Sequence, residues 1–235
     1  METPALILDM DKMEANVRSM QKLVQDCGVA LRPHYKSHKC PQIAHWQMEA
    51  GAVGITCAKL GEAEDLVNAG IKDVLLANQV IDPAKIARLA NLARGCRLGI
   101  CVDHEENINN LEKAAALAGS TLYCLIEYEV GMRRCGVETK EEFLHLAKKI
   151  SSCAHLVFEG IKASAGNIVH MADFDARKDA SQKVDARVKE LIDYLAQNGL
   201  PVQKVSGDGT GTCMFRDKGI YTEMLSGSYL FMDGA

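Results

Sequence analysis

The strongest constraint on this chain is a rhythm: short apolar runs alternate with longer amphipathic stretches along its whole length. The apolar runs fall at residues 5–9, 30–36, 54–58, 73–78, 98–103, 122–129, 156–163, 202–207 and 223–231. Between them, apolar residues recur at helical spacing over 10–26, 40–50, 60–69, 83–94, 104–117, 139–152 and 175–198. Runs that are apolar on both faces and separated by helices predict parallel strands covered by helices. Setting the first run aside leaves eight strand–helix candidates, the number that closes a TIM-type (β/α)8 barrel. An open doubly wound sheet is the alternative, and it lacks the glycine fingerprint usual after an early strand.

Local signals agree with these boundaries. Asp82 followed by Pro83 predicts a capped helix start, and Thr139 with Glu142 predicts a capping box. Gly51, Gly70 and Gly199 follow helical stretches, where a left-handed terminus is expected. No linker-like composition interrupts the pattern, so residues 1–235 are expected to form one domain.

Composition narrows the function classes. A net charge of −4 supplies no basic footprint for nucleic acid. No stretch approaches the ~20 apolar residues of a membrane span. The first twelve residues lack the basic and apolar pattern of a secretory signal. The nine cysteines are scattered without paired spacing, which disfavours a zinc site or disulfide framework and predicts reduced thiols in a cytoplasmic protein.

In a barrel, chemistry gathers where strands end. The first barrel strand ends in Arg32, His34, Lys36, His38 and Lys39. A lysine desolvated there and crowded by like charge becomes a nucleophilic amine; the other reading is a solvated basic turn. The run over 122–129 leads into Gly131, Arg133, Arg134 and Gly136. Arg134 can present a fixed cation to a ligand, or the two arginines can simply pair with Glu127 and Glu129. Ser206 to Thr212 form a glycine-rich loop directly after a strand. Such a loop can cradle a phosphate with its amides, or it can be merely flexible. Together, an amine, a cation and a phosphate loop suit an aldehyde cofactor that carries a phosphate, such as pyridoxal 5′-phosphate.

Five segments carry a family resemblance: RPHYKSHKCPQIA (32–44), GITCAKLGEAE (54–64), EYEVGMRRCGV (127–137), GTGT (209–212) and YTEMLSGSYLFMD (221–233). Together they resemble the D-threonine aldolase and D-serine dehydratase family of alanine-racemase-like enzymes, over about residues 3–233. The resemblance implies an alanine racemase N-terminal-domain barrel whose Lys36 forms a Schiff base with pyridoxal phosphate. It further implies that Arg134 faces the cofactor ring nitrogen, that Gly209, Thr210, Gly211 and Thr212 hold the phosphate, and that His170 assists proton transfer. His34 and Ser164 are expected beside the cofactor. The implied reaction is retro-aldol cleavage of a D-3-hydroxy amino acid to glycine and an aldehyde. A D-serine dehydratase-type reaction and a non-catalytic cofactor-binding or altered barrel are the alternatives.

The resemblance also carries departures. Members of the family continue into a second, β-rich domain that holds the ligands of a divalent metal, Mn²⁺ or Mg²⁺, so no metal site is expected within residues 1–235. Residues 1–10 are expected to include a strand that packs on that domain, and its exposed apolar edge invites homodimerisation or other self-association. Lys162, Ser164 and Asp208 stand where the family has a glutamine, a tyrosine and a small residue. A carboxylate in a phosphate loop repels the phosphate by ~1–4 kcal/mol at a few ångströms, and Lys162 offsets it if both reach the barrel mouth.

Overall fold

The computed structural model describes residues 2–5, 7–215 and 219–231. In chain order the elements are α1 (Met10–Asp26), β1 (Ala30–Leu31), α2 (Pro41–Glu49), β2 (Ile55–Cys57), α3 (Leu60–Asn68), β3 (Asp73–Leu76), α4 (Pro83–Leu92) and β4 (Arg97–Val102). There follow α5 (Glu105–Ala118), β5 (Leu122–Glu127), α6 (Lys140–Ser151), β6 (Leu156–Ala163), α7 (Phe174–Gln197), β7 (Lys204–Gly207) and β8 (Glu223–Met224). Short 3-10 turns lie at Tyr35–Ser37, Cys213–Phe215 and Ser228–Leu230.

Helix starts follow the capping chemistry of the sequence. The Asp9, Asp82 and Asp173 side chains accept from the amides of Lys12, Lys85 and Ala176, and Thr139 and Glu142 form the expected capping box. Gly51, Gly70 and Gly199 take positive φ just beyond α2, α3 and α7.

All eight strands are parallel, in the order β1-β8-β7-β6-β5-β4-β3-β2. The segment after β1 joins the two ends of that order. The Arg32 and His34 amides donate to the Met224 and Ser226 carbonyls, while the Leu31 and Pro33 carbonyls accept from Val53 and Thr56. A parallel bridge, His34 to Thr56, marks the seam. The barrel is closed, as the alternating pattern predicts.

Parallel register fixes which side chains face inward. Leu75, Cys101, Leu125 and Leu225 form a small apolar plug within the barrel. At the end where strands begin, Arg32, 3% exposed, bonds Glu223 through Nε at 3.0 Å and Asp73 through Nη1 at 2.6 Å. Lys204 and Arg97 join both to Glu159. Outside, Met13, Val17, Met20 and Val24 of α1 repeat at helical spacing and pack on Leu31, Ile43, Met224, Tyr229 and Leu230. Thus α1, which precedes β1, covers the seam.

Three expectations are revised. The run at 5–9 forms no strand at its described residues, and Ile7 is 81% exposed; Ile7 and Leu8 border a groove beside α1, and no ladder partner is found for them among the described residues. The run at 30–36 is strand only at Ala30–Leu31, with Tyr35, Lys36 and Ser37 in a 3-10 turn. The run at 223–231 is strand only at Glu223–Met224, because the chain turns at Gly227 into another 3-10 turn. Leu6 and residues 232–233 of the family segments lie outside the described residues. No described helix is long and apolar enough to cross a membrane, and all nine cysteines are free.

Removing one partner of a buried ion pair leaves an uncompensated charge. Arg32→Ala is therefore expected to lower the unfolding free energy by about 3–5 kcal/mol, read from urea denaturation midpoints.

Candidate active site

At the strand-end mouth a cavity of about 470 Å³ opens between the loops. Seven of the residues singled out from the sequence line it together: His34, Lys36, Arg134, Ser164, His170, Gly209 and Thr210. Residues as far apart as His34 and Thr210 meet there because they follow four strands, β1, β5, β6 and β7, of one closed barrel.

The turn that carries Lys36 is fixed from beneath. Tyr35 is buried, its hydroxyl donates to the Asp65 carboxylate, and His38 packs edge-on against its ring. The Lys36 amide donates to His34 Nδ1 at 3.3 Å. Tyr35 therefore points down into the core and the lysine next to it points up into the cavity. Burial against the cavity walls pushes the Lys36 amine below the ordinary lysine range, the charges of Lys162 and Arg134 add to this, and Glu62 opposes it. Burial, with Lys36, Lys162 and His38, pushes His34 down to about 3. His38 falls to about 4 through burial, against hydrogen bonds from Cys40 and Gln47.

The loop carrying Arg134 is held by acids. Glu129 accepts from the Gly131 and Arg133 amides, and Asp103 accepts from the Gly136 amide. Gln79 bridges Asp103 and Glu127, and Glu127 Oε1 lies 3.4 Å from Arg134 Nη2. Gly136 has φ +100, and a Cβ there would stand 2.9 Å from the Glu127 carbonyl oxygen, so only glycine fits. Both sequence readings of this loop hold in part: Arg134 faces the cavity and pairs with Glu127, whereas Arg133 meets Glu129 only through its backbone.

The glycine-rich loop differs from its expected form at two positions. Thr212 is buried with its hydroxyl donated to Asp208, so it does not line the cavity. Gly211 is pressed on Val169, where a Cβ would collide with the carbonyl oxygen, and it lies behind the cavity wall. Asp208 takes a left-handed backbone, φ 74, and also accepts from the Gly209 amide at 2.7 Å. Its carboxylate thus occupies donors that a phosphate would otherwise use. The amides of Thr210 and Ser228, which line the cavity, donate to no acceptor among the described residues. These amides, Lys36 and Arg134 form a donor set that fits a small molecule with a phosphate at one end and an aldehyde at the other.

Lys162 and Asp208 both reach the mouth, as the offsetting of one by the other requires. Lys162 is buried and donates to Ser164 Oγ. Asn78, Met132, Gly227 and Ser228 also line it and carried no assigned role from the sequence. Asn78 had a signal, as the polar residue that ends its apolar run; Ser228 was hidden inside one. Among the described residues, no group of three His, Cys, Asp or Glu is placed to hold a metal ion.

Comparison with known proteins matches the family model "Alanine racemase, N-terminal domain" over residues 8–234. The chain is 43% identical over 235 residues to a 3-hydroxy-D-aspartate aldolase of Paracoccus denitrificans (strain Pd 1222), covering 99% of this chain and 61% of that protein. It is 38% identical to a D-threonine aldolase of an Arthrobacter species, covering 99% and 62%. The crystal structure of D-threonine aldolase from Filomicrobium marinum superposes with a TM-score of 0.96 at 41% identity, covering 99% of this chain and 63% of that one. The chain thus spans about three-fifths of the length of these relatives.

The depressed histidines have a measurable consequence. Their folded values, about 3 and about 4, lie below the ordinary 6.5, so the unfolded chain binds more protons between these limits. Stability contributed by the neutral imidazoles is present above about pH 6.5 and is lost as pH falls toward 4. Nuclear magnetic resonance is expected to show His34 and His38 ring signals unmoved between about pH 5 and 8. Ring shifts with midpoints near 6.5 would contradict this.

Proposed function

The chain belongs to the alanine racemase N-terminal domain family, and on that premise we propose that it provides the cofactor-binding barrel of a pyridoxal-phosphate-dependent carbon–carbon lyase. The substrate class is a D-3-hydroxy amino acid, split at Cα–Cβ to glycine and an aldehyde. The observation that carries this reading is the cavity itself: an amine of lowered basicity, Lys36, shares it with the Gly209–Thr210 turn and Arg134. The similarity to two aldolases supports the reaction type.

Lys36 would hold the cofactor through its amine, the amides of Thr210 and Ser228 through its phosphate, and Arg134 along its ring edge. When bound, pyridoxal phosphate supplies an electron sink for the pair released as the Cα–Cβ bond breaks. The chain's own groups do the rest. Arg134, fixed by Glu127, draws and orients the anionic groups of cofactor and substrate. His170, exposed on the cavity rim, is placed to take the proton from a substrate hydroxyl. Met132, Val169 and Leu225 give the lining its apolar patches, which limit water at the reacting carbon.

A second reading, a barrel altered to bind something other than a phosphorylated aldehyde, is favoured by Asp208 alone. Its carboxylate lines the cavity and occupies the Gly209 amide and the Thr212 hydroxyl, which weakens a phosphate site.

Borohydride reduction of the protein mixed with pyridoxal phosphate tests the assignment. Peptide mass spectrometry is expected to find the label on Lys36, and Lys36→Ala is expected to abolish it. A label on Lys162, or none, would overturn the reading. Aldehyde release from D-threonine, with and without Mn²⁺, then separates the lyase from a barrel that binds without turnover.

A further inference from the structure

Lys162 is the unexplained charge of this site. It stands on β6, inside the barrel, 3% exposed. Its register partners on either side are Glu127 and Ser206. Both are already engaged, Glu127 by Gln79 and Arg134, and Ser206 by Glu223. Among the described residues no carboxylate lies within ion-pair distance of Lys162, and its amine has a single neutral acceptor, Ser164 Oγ. A buried charge without a counterion is costly, so a role in the site is the natural reason for one.

The groups that face Lys36 can be taken one by one. His34 and His38 sit on its own turn, and both are neutral over the physiological range. Lys39 lies 3.7 Å from Glu62, and Asp65 is engaged by the Tyr35 hydroxyl. Arg134 is partly neutralised by Glu127. His170 is on the rim, and Asp208 is hydrogen-bonded within its own loop. What remains is the Lys162 ammonium, which shares the cavity with Lys36 and has no carboxylate within ion-pair distance among the described residues.

We propose that Lys162 is a positioning residue for Lys36: its charge, seated on Ser164 inside the barrel, favours the free-amine form of the neighbouring Lys36. The two lysines line one cavity, so the charge of one acts on the other across it. Lys162 Nζ is seated on an acceptor, Ser164 Oγ, whereas Lys36 Nζ has none among the described residues. The lowered basicity of Lys36, with Lys162 the largest of the charges acting on it, agrees with this arrangement. The inference rests on the reading of Lys36 as the nucleophilic amine of the site.

Trace acetylation with acetic anhydride across a pH series, read by mass spectrometry of the Lys36 peptide, tests it without any cofactor. Lys162→Gln removes the charge and is expected to shift the Lys36 labelling profile to higher pH. Labelling near neutral pH should then slow by about three- to tenfold. Lys162→Met carries the same expectation with a stem of similar length, in case the glutamine disturbs folding. Lys162→Arg keeps the charge and should restore the wild-type profile, which a purely packing role would not require. An unchanged profile in both neutral variants, or an arginine variant that behaves like them, would overturn the proposal. Either result leaves the borohydride test of pyridoxal phosphate binding standing separately.

Discussion

Arg32 sits where the first strand segment closes onto the second, and its guanidinium reaches Glu223 on one side and Asp73 on the other. Gly54, across the seam, has no side chain, and a Cβ there would run into that guanidinium. The charge, the missing side chain and the backbone bonds from residues 31–34 together draw the open edges of the sheet into a barrel. Lys36 lies four residues beyond Arg32. Its distance from the loops after β5, β6 and β7 is therefore set by the same closure, and a slipped seam would scatter the whole cavity lining.

The two ends of the barrel handle charge in opposite ways. Where strands begin, Arg32, Arg97 and Lys204 are matched by Asp73, Glu159 and Glu223, and the layer is neutral. Where strands end, Lys36 and Lys162 face a cavity with no carboxylate in ion-pair contact among the described residues, and Arg134 shares Glu127 with Gln79. The apolar plug of Leu75, Cys101, Leu125 and Leu225 lies within the same barrel. Low polarizability in that plug lets positive charge at the mouth act on a ligand with little screening. An anionic guest such as a phosphate or a carboxylate meets that excess, and Asp208 reduces it locally.

Much of this was legible in the sequence because it depended on local or periodic signals. All seven helices lie within two residues of their expected limits, since caps and glycine termini are written in neighbouring residues. Lys36 was legible because a lysine that ends an apolar run must leave the core. The extent of strands was less so: apolar residues at 5–9 and 225–231 look the same in a strand, a coil or a 3-10 turn. What decides between them is a hydrogen-bonding partner far away in the chain. Side-chain partners were least legible. Nothing in the glycine-rich segment told that Thr212 would turn to Asp208 instead of the cavity, or that Lys162 would be left with only a serine.

The account stands on one claim, that the mouth of this barrel binds a phosphorylated aldehyde with its phosphate on the late glycine loop and its carbonyl at Lys36. A crystal structure of the protein grown with pyridoxal phosphate measures both ends at once. The account predicts phosphate density on the amides of Thr210 and Ser228, with continuous density from the cofactor to Lys36 Nζ. A cofactor joined to Lys162, or a phosphate seated away from that loop, would contradict it.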